Sequence, residues 1–243
     1  MRPSIGSPRF LPDGTPLQNR LLAVLPVTTY AHIQPQLQMN TAVIGRTLQA
    51  HGKRVTDVYF PNDGVFSVTC EMHDGTLVEA ATVGREGMLG VGVFLGDRWG
   101  TGRTFLQVPG GPVPSMAAAT FRNETNAGPF REIVALYVQA NLLQVMQCAA
   151  CNALHNVKQR CCRWLLQTAD RVGSKEFLLK QEFLAIMLGV HRPTVTVVMA
   201  GLQHEGLIAV RYGRIRLLKL RELEHSACEC HKVIRDHFRR LGL

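Results

Sequence analysis

Acidic side chains are scarce in this sequence. It has 18 Asp and Glu against 27 Lys and Arg, for a net charge of +9. That balance points to a polyanionic partner without separating nucleic acid from an anionic membrane surface. No run of 18 apolar residues occurs, so no spanning helix and no membrane partner are expected. The opening MRPSIGSPRFLPDGTP has no apolar stretch of signal-peptide type, which favours a cytoplasmic chain. Charged residues at 19% and hydrophobic ones at 46% exclude a disordered chain, and 243 residues leave room for two domains. No Cys–His pair or carboxylate dyad stands at a spacing useful for catalysis, so no enzyme is expected. The cysteines (Cys70, Cys148, Cys151, Cys161, Cys162, Cys228 and Cys230) form an odd set without a compact framework, which reads as reduced thiols.

The most informative stretch runs from Lys180 to Arg216. Phe183, Leu184, Met187 and Leu188 fall at helical spacing, and Gly189 suits the left-handed turn between two helices. Val195, Val198, Met199 and Leu202 repeat that spacing until Gly206, and Arg192, Thr196 and Gln203 occupy the opposite face. Arg211-Tyr212-Gly213-Arg214 then forms a tight turn with arginine on both sides. An ordinary helical hairpin beside a turn has the same spacing. The basic hairpin and the net charge favour a helix-turn-helix with a basic wing, which lays its second helix in the major groove.

Upstream, residues 1–18 hold four prolines, two glycines and two serines and read as a flexible arm. Asn19 can cap a helix ending near Leu25, and a polar segment through Gln34, Pro35 and Gln38 follows. From Val55 the period changes to two. Val58 to Phe60, Val65 to Met72, Leu77 to Val83 and Phe105 to Val108 predict short strands of an antiparallel roll, with a hairpin at His73-Asp74-Gly75. Phe130 to Met146 is helical, and no charged residue or histidine lies between Glu132 and His155. A helix so poor in charge is buried against something, and a second copy of itself is one candidate. Val157 to Arg171 predicts another helix with Lys158, Arg160 and Arg163 on its wet side, and Arg221 to Leu241 a last one.

In this order, the roll, the long helix and the winged helix-turn-helix resemble a Crp/Fnr-type transcriptional regulator over roughly Asn19 to Leu223. The specific part is Leu188-Gly-Val-His-Arg-Pro-Thr-Val-Thr, with Gly206-Leu-Ile and Gly213-Arg-Ile after it; Gly84-Arg-Glu-Gly-Met-Leu-Gly supports the sensor half. The resemblance implies an α+β fold: an N-terminal double-stranded β-roll or jelly roll, a long dimerisation helix and a C-terminal winged helix-turn-helix. Its implied divisions are an arm at 1–18, a cyclic-nucleotide-binding-like sensor at 19–126, a dimerisation helix at 127–154, the DNA-binding domain at 155–221 and a C-terminal helix at 222–243. It also implies a homodimer paired through Phe130 to Met146, on a two-fold-symmetric double-stranded DNA operator with recognition helices about 34 Å apart.

Carried over residue by residue, the resemblance makes Arg192 the reader of guanine, through O6 and N7. His191 replaces the usual serine, and Thr194 keeps a hydroxyl for phosphate. Pro193 and Val197 stand where a glutamate and a second arginine are common, so the operator should differ from the best-known sites. Thr196 shares the DNA-facing side. Lys180 and Gln181, with Arg211, Tyr212 and Arg214 of the wing, are backbone-contact candidates. In the sensor, Glu86 and Arg103 are the candidates for an effector. Arg103 lies one residue from the arginine position of cyclic-nucleotide-binding members, on the wrong face of a strand, and only an inserted residue would restore it. An unknown small molecule is the other possible effector. Iron–sulfur members carry N-terminal cysteines, and this chain has none before Cys70. Cys148 and Cys151 form a lone pair read as packing at the dimer helix, and His155 has no evident partner, so no metal or other cofactor is expected.

Overall fold

A computed structural model describes residues 8–243. Two short helices, α1 (Arg20–Ala23) and α2 (Val27–Ile33), precede seven strands: β1 (Gln38–Asn40), β2 (Thr47–Gln49), β3 (Asp57–Tyr59), β4 (Val65–Glu71), β5 (Leu77–Val83), β6 (Arg103–Val108) and β7 (Val113–Ala117). A short helix α3 (Val91–Phe94) interrupts the roll and α4 (Ala118–Glu124) closes it. The strands pair antiparallel in two sheets, ordered β1-β7-β3 and β2-β6-β4-β5. Phe66, Val83 and Leu106 of one sheet pack with Val113 and Tyr59 of the other. Met72 to Thr76 makes the expected hairpin, in which Gly75 takes a φ of +81°.

The remaining elements are α5 (Gly128–Leu154), α6 (Val157–Val172), β8 (Glu176–Leu178), α7 (Gln181–Leu188), α8 (Arg192–His204), β9 (Ile208–Arg211), β10 (Arg214–Leu217), α9 (Leu220–Ser226) and α10 (Cys230–Arg240). The sheet order β8-β10-β9 makes a three-stranded wing.

At 27 residues α5 is about 40 Å long. By length and composition alone it is long and apolar enough to cross a membrane, although Gln139, Asn141, Gln144 and Gln147 interrupt its apolar run. Its buried face, Phe130, Val134, Tyr137, Ala140, Gln144, Cys148 and Cys151, packs within its own chain. Phe130 stacks with Phe60 and Phe121 at centroid distances of 6.3 and 5.7 Å. Tyr137 donates its hydroxyl to Met88 O at 3.0 Å and lies over Gly87, where a Cβ would stand 2.1 Å from the ring. Only glycine permits that approach. The other face leaves Leu136, Leu142, Met146 and Leu154 exposed. The apolar residues of this helix thus serve two surfaces: Phe130, Val134 and Tyr137 belong to the chain's own core.

Four expectations change. The arm at 1–18 packs over its described part, 8–18, because Leu11 is buried and Leu17 half-buried, with Phe10 O accepting from Tyr30 Oη at 2.8 Å; residues 1–7 lie outside the described residues. A helix not expected from the sequence, α2, fills the stretch before the polar segment through Gln34, Pro35 and Gln38. Arg163, expected on the wet side of α6, is wholly buried, because α5 covers that face and Arg163 Nη1 donates to Cys148 Sγ at 3.5 Å. The C-terminal helix is broken at Ala227–Glu229, where Cys228 turns inward beside Cys151.

Candidate nucleic-acid interface

The axes of α7 and α8 meet at 104°. Gly189 makes the bend possible: it caps α7 in the left-handed conformation at φ +60°, and Val190 N donates back to Ala185 O at 3.1 Å, closing the last turn. Phe183, Leu184, Met187 and Leu188 of α7 and Val195, Met199 and Leu202 of α8 are buried at the spacing expected from the sequence. The burial fixes the rotation of α8. Phe183 also stacks on Phe105 of β6 at 5.5 Å, so the first helix of the pair rests on the roll.

The same rotation turns the start of α8 outward. His191 is its N-cap and makes no side-chain capping bond; Arg192 and Pro193 fill the first two helical positions, where missing backbone donors cost nothing. His191, Arg192, Pro193, Thr194, Thr196 and Val197 are all exposed or nearly so, with only Val195 between them buried. Among the described residues the Arg192 guanidinium has no hydrogen-bond or ion-pair partner, which leaves its fork open. Thr196 Oγ1 lies 3.2 Å from both Arg192 O and Gln181 Oε1, tying the two helices together. Gln203, on the same sequence face as Arg192, points elsewhere and accepts from Val210 N at 3.1 Å.

Arg211 and Arg214 face each other in the wing register, and Tyr212 and Gly213 at its tip take φ of +50° and +75°. Both positive values suit the two-residue turn that matches strand twist. Tyr212 is 92% exposed and Arg211 lies over its ring at 5.6 Å. Arg214 is 3.7 Å and Arg216 2.6 Å from Glu176 of β8. The sequence gives no sign of that strand, since three residues are too few to show alternation. Lys180 is exposed at the N-cap of α7, over the Phe183 ring at 5.8 Å and 3.5 Å from Glu182. Gln181 is half-buried. Lys180 and Arg192 line one pocket with Gly213 of the wing tip, and Arg211 and Arg214 flank that tip, an arrangement suited to phosphate on the flanks and base edges at the centre.

The two effector candidates are not brought together. Glu86 is a buried turn residue that accepts from Arg171 Nε of α6 at 2.7 Å, so its carboxylate is already engaged and not open to a ribose. Arg103 donates to Thr47 Oγ1 at 2.9 Å and lies over Phe105. A cavity of about 270 Å³ lies between the roll and α5, lined by Val68, Thr69, Met88, Thr104, Asn141 and Val145 among others. Its lining holds no charged side chain, so nothing there neutralises a phosphate.

Cysteine placement also departs from expectation. Cys148 packs against Arg163, and burial, the largest cause, raises its thiol pKa. Cys151 and His155 at the end of α5 meet Cys228 and Cys230 in one group of four, while Cys148, the other member of the expected pair, stays outside it. The long sequence separations hid this.

Residues 159–226 match the model of the Crp-like helix-turn-helix domain. Among solved structures, a CRP-family transcriptional regulator from Thermus thermophilus is 22% identical with a TM-score of 0.64, covering 77% of this chain and 95% of its own. The c-di-GMP-responsive global regulator CLP of Xanthomonas campestris is 15% identical with a TM-score of 0.65, covering 79% and 99%. FixK2 from Bradyrhizobium japonicum is 11% identical with a TM-score of 0.66, covering 79% and 98%. No curated protein matches the chain. The chain carries a Crp-like helix-turn-helix domain at 159–226 and shares the fold of these solved structures.

Proposed function

We propose that this chain is a homodimeric, sequence-specific DNA-binding transcription regulator acting in the cytoplasm, with no catalytic step of its own. The observation that carries the reading is the exposed first turn of α8, where Arg192 has no partner among the described residues and shares one pocket with Lys180 and with Gly213 of the wing tip. Arg192 reads base edges; Lys180, Gln181, Thr194, Arg211, Tyr212 and Arg214 hold backbone. Arg214 contributes less than Arg211, because Glu176 already offsets part of its charge. His191 and Thr196 shape the entry of the helix into the groove.

The exposed stripe Leu136, Leu142 and Met146 on α5 supports pairing with a second copy. Two such helices side by side would present two recognition helices to a two-fold-symmetric operator. Selection from a pool of random double-stranded DNA tests the reading. The expected product is an inverted repeat with half-sites about one helical turn apart. An unselected pool, or a single asymmetric site, would overturn it.

A ligand-responsive sensor is the second reading, favoured by the cavity between roll and α5. Its uncharged lining fits a neutral or apolar molecule better than a cyclic nucleotide. A thermal shift with cyclic AMP, cyclic GMP or cyclic di-GMP would reverse that preference.

A further inference from the structure

The break between α9 and α10 returns the chain to the end of α5. There Cys228 and Cys230 come against Cys151, and His155, four residues beyond Cys151, caps the helix on the same side. The three sulfurs and the imidazole nitrogen all lie within 4.8 Å of one another. Cys151 Sγ is 3.5 Å from Cys228 Sγ, and Cys230 Sγ is 3.7 Å from His155 Nδ1. Ligands around a tetrahedral zinc, with Zn–S of about 2.3 Å and Zn–N of about 2.0 Å, stand about 3.5–3.8 Å apart. A disulfide needs sulfurs about 2.05 Å apart.

We propose that Cys151, His155, Cys228 and Cys230 form a tetrahedral Cys3His zinc site that clamps the C-terminal helix to the end of the long helix. On binding, three thiols release three protons and the ion completes a complex of net charge −1.

Two features around the four ligands support this. His155 Nε2 is 3.2 Å from Glu229 Oε2, which holds the ring proton on Nε2 and leaves Nδ1 bare toward the sulfurs. Gln147 Nε2 donates to Cys230 Sγ at 3.1 Å, a bond that strengthens when the sulfur is a thiolate. Independently, the guanidinium of Arg163 is fully buried and belongs to none of the ion pairs among the described residues; its Nε and Nη2 have no partner. It lies within electrostatic reach of Cys151 and Cys228. The Trp164 ring lies 4.1 Å below it and its charge reaches the buried Glu79 carboxyl, but no carboxylate among the described residues hydrogen-bonds it; an anionic zinc–thiolate complex adds a counter-charge that three neutral thiols do not.

The clamp would act on the joint between the two halves of the chain. α10 packs across α5 and α6, with Phe238 on Tyr137 at 6.4 Å and His231 Nε2 3.1 Å from Asp170 Oδ2. Cys230 opens that helix, and Cys228 lies just beyond the matched helix-turn-helix segment.

The test is metal analysis of the full-length chain purified under reducing conditions without a metal-affinity tag, followed by exchange with Co2+. The expected result is one zinc per chain and, with Co2+, the intense visible bands and sulfur-to-metal charge transfer of a tetrahedral thiolate site. Cys228→Ser/Cys230→Ser should abolish both, while Cys70→Ser, at an exposed thiol outside the group, should keep them. A wild-type chain that carries no zinc and gives no such Co2+ spectrum overturns the proposal, whatever the variants do. So does a Cys151–Cys228 disulfide trapped by thiol quenching, or a Co2+ spectrum that survives in the double variant. None of these readouts depends on DNA binding.

Discussion

Arg171 Nε donates to Glu86 Oε1 at 2.7 Å with both side chains buried, and this ion pair joins the roll to the first helix of the DNA-binding half. Arg171 Nη2 also donates to Gln144 of the long helix, whose Nε2 donates to Thr82 O at 3.1 Å. Gln167 Nε2 donates to the same Gln144 oxygen at 3.2 Å. Roll, long helix and α6 therefore share one buried polar network.

Breaking one side of that pair should cost more than removing both. Arg171→Met leaves the Glu86 charge buried without its counter-ion, held only by Gly84 N at 3.0 Å, at a cost of about 3–5 kcal/mol. The double variant Glu86→Gln/Arg171→Met should be destabilised by less than the sum of the single changes. Urea unfolding of the four proteins measures the coupling. Additive losses would mean that the two side chains do not act as a pair.

Glu79 predicts a dependence of stability on pH. It is wholly buried on β5, accepts from Ser67 Oγ, and its Oε1 has no partner. Burial pushes its pKa up from 4.5 to about 8, against the pull of the Ser67 hydrogen bond and the charges of Arg163 and Arg171. The folded chain thus holds this proton more tightly than the unfolded one. The stabilising contribution is complete below about pH 4.5 and is lost as pH rises to about 8. Glu79→Gln should remove that slope. It should match the wild type near pH 5 and exceed it near pH 8, by on the order of 4 kcal/mol at most. Melting temperatures at the two pH values decide it; an unchanged slope would assign the dependence to other groups.

Arg192 and Arg211 should fail differently. Arg192→Ala should cost roughly 1–3 kcal/mol of operator binding and relax preference at one position per half-site. Arg211→Ala should weaken all sequences alike and lower the salt slope by about one per wing engaged. Binding titrations at several salt concentrations, on selected and scrambled sites, separate the two. A sequence preference that survives Arg192→Ala would move base reading elsewhere on α8.

Leu142 and Met146 test the pairing face of α5. Both are exposed, 59% and 65%, so neither supports the fold of the single chain. Leu142→Glu/Met146→Glu should leave the melting of the isolated chain close to unchanged, convert dimer to monomer in light scattering, and weaken operator binding at least tenfold. A dimer of unchanged mass would place the interface elsewhere.

The elements legible in the sequence are those whose signal is local and repeated. α6, α7 and α8 show helical spacing over eight or more residues. Gly189 and Gly213 mark turns by their own backbone preferences, and β4 and β5, seven residues each, stand on either side of the His73-Asp74-Gly75 turn. β1, β2 and β8, at three residues each, are too short for alternation to show. In β7, Pro114 hides a strand that pairs on both sides with partners far away in sequence. Arg163 reads wrongly from sequence because a guanidinium on an amphipathic helix ordinarily faces water, and only the packing of α5 on α6 shows otherwise.

The order of neighbouring side chains alone specifies the helix-turn-helix, its basic wing and a long helix poor in charge. The tertiary structure decided what those parts are joined to. Glu86 meets Arg171 across 85 positions, and Cys151 meets Cys228 across 77. Such contacts leave no periodic trace in the chain. They arise when burial of the roll, of α5 and of α10 brings distant polar groups into one interior, where each must find a partner or cost the fold its desolvation.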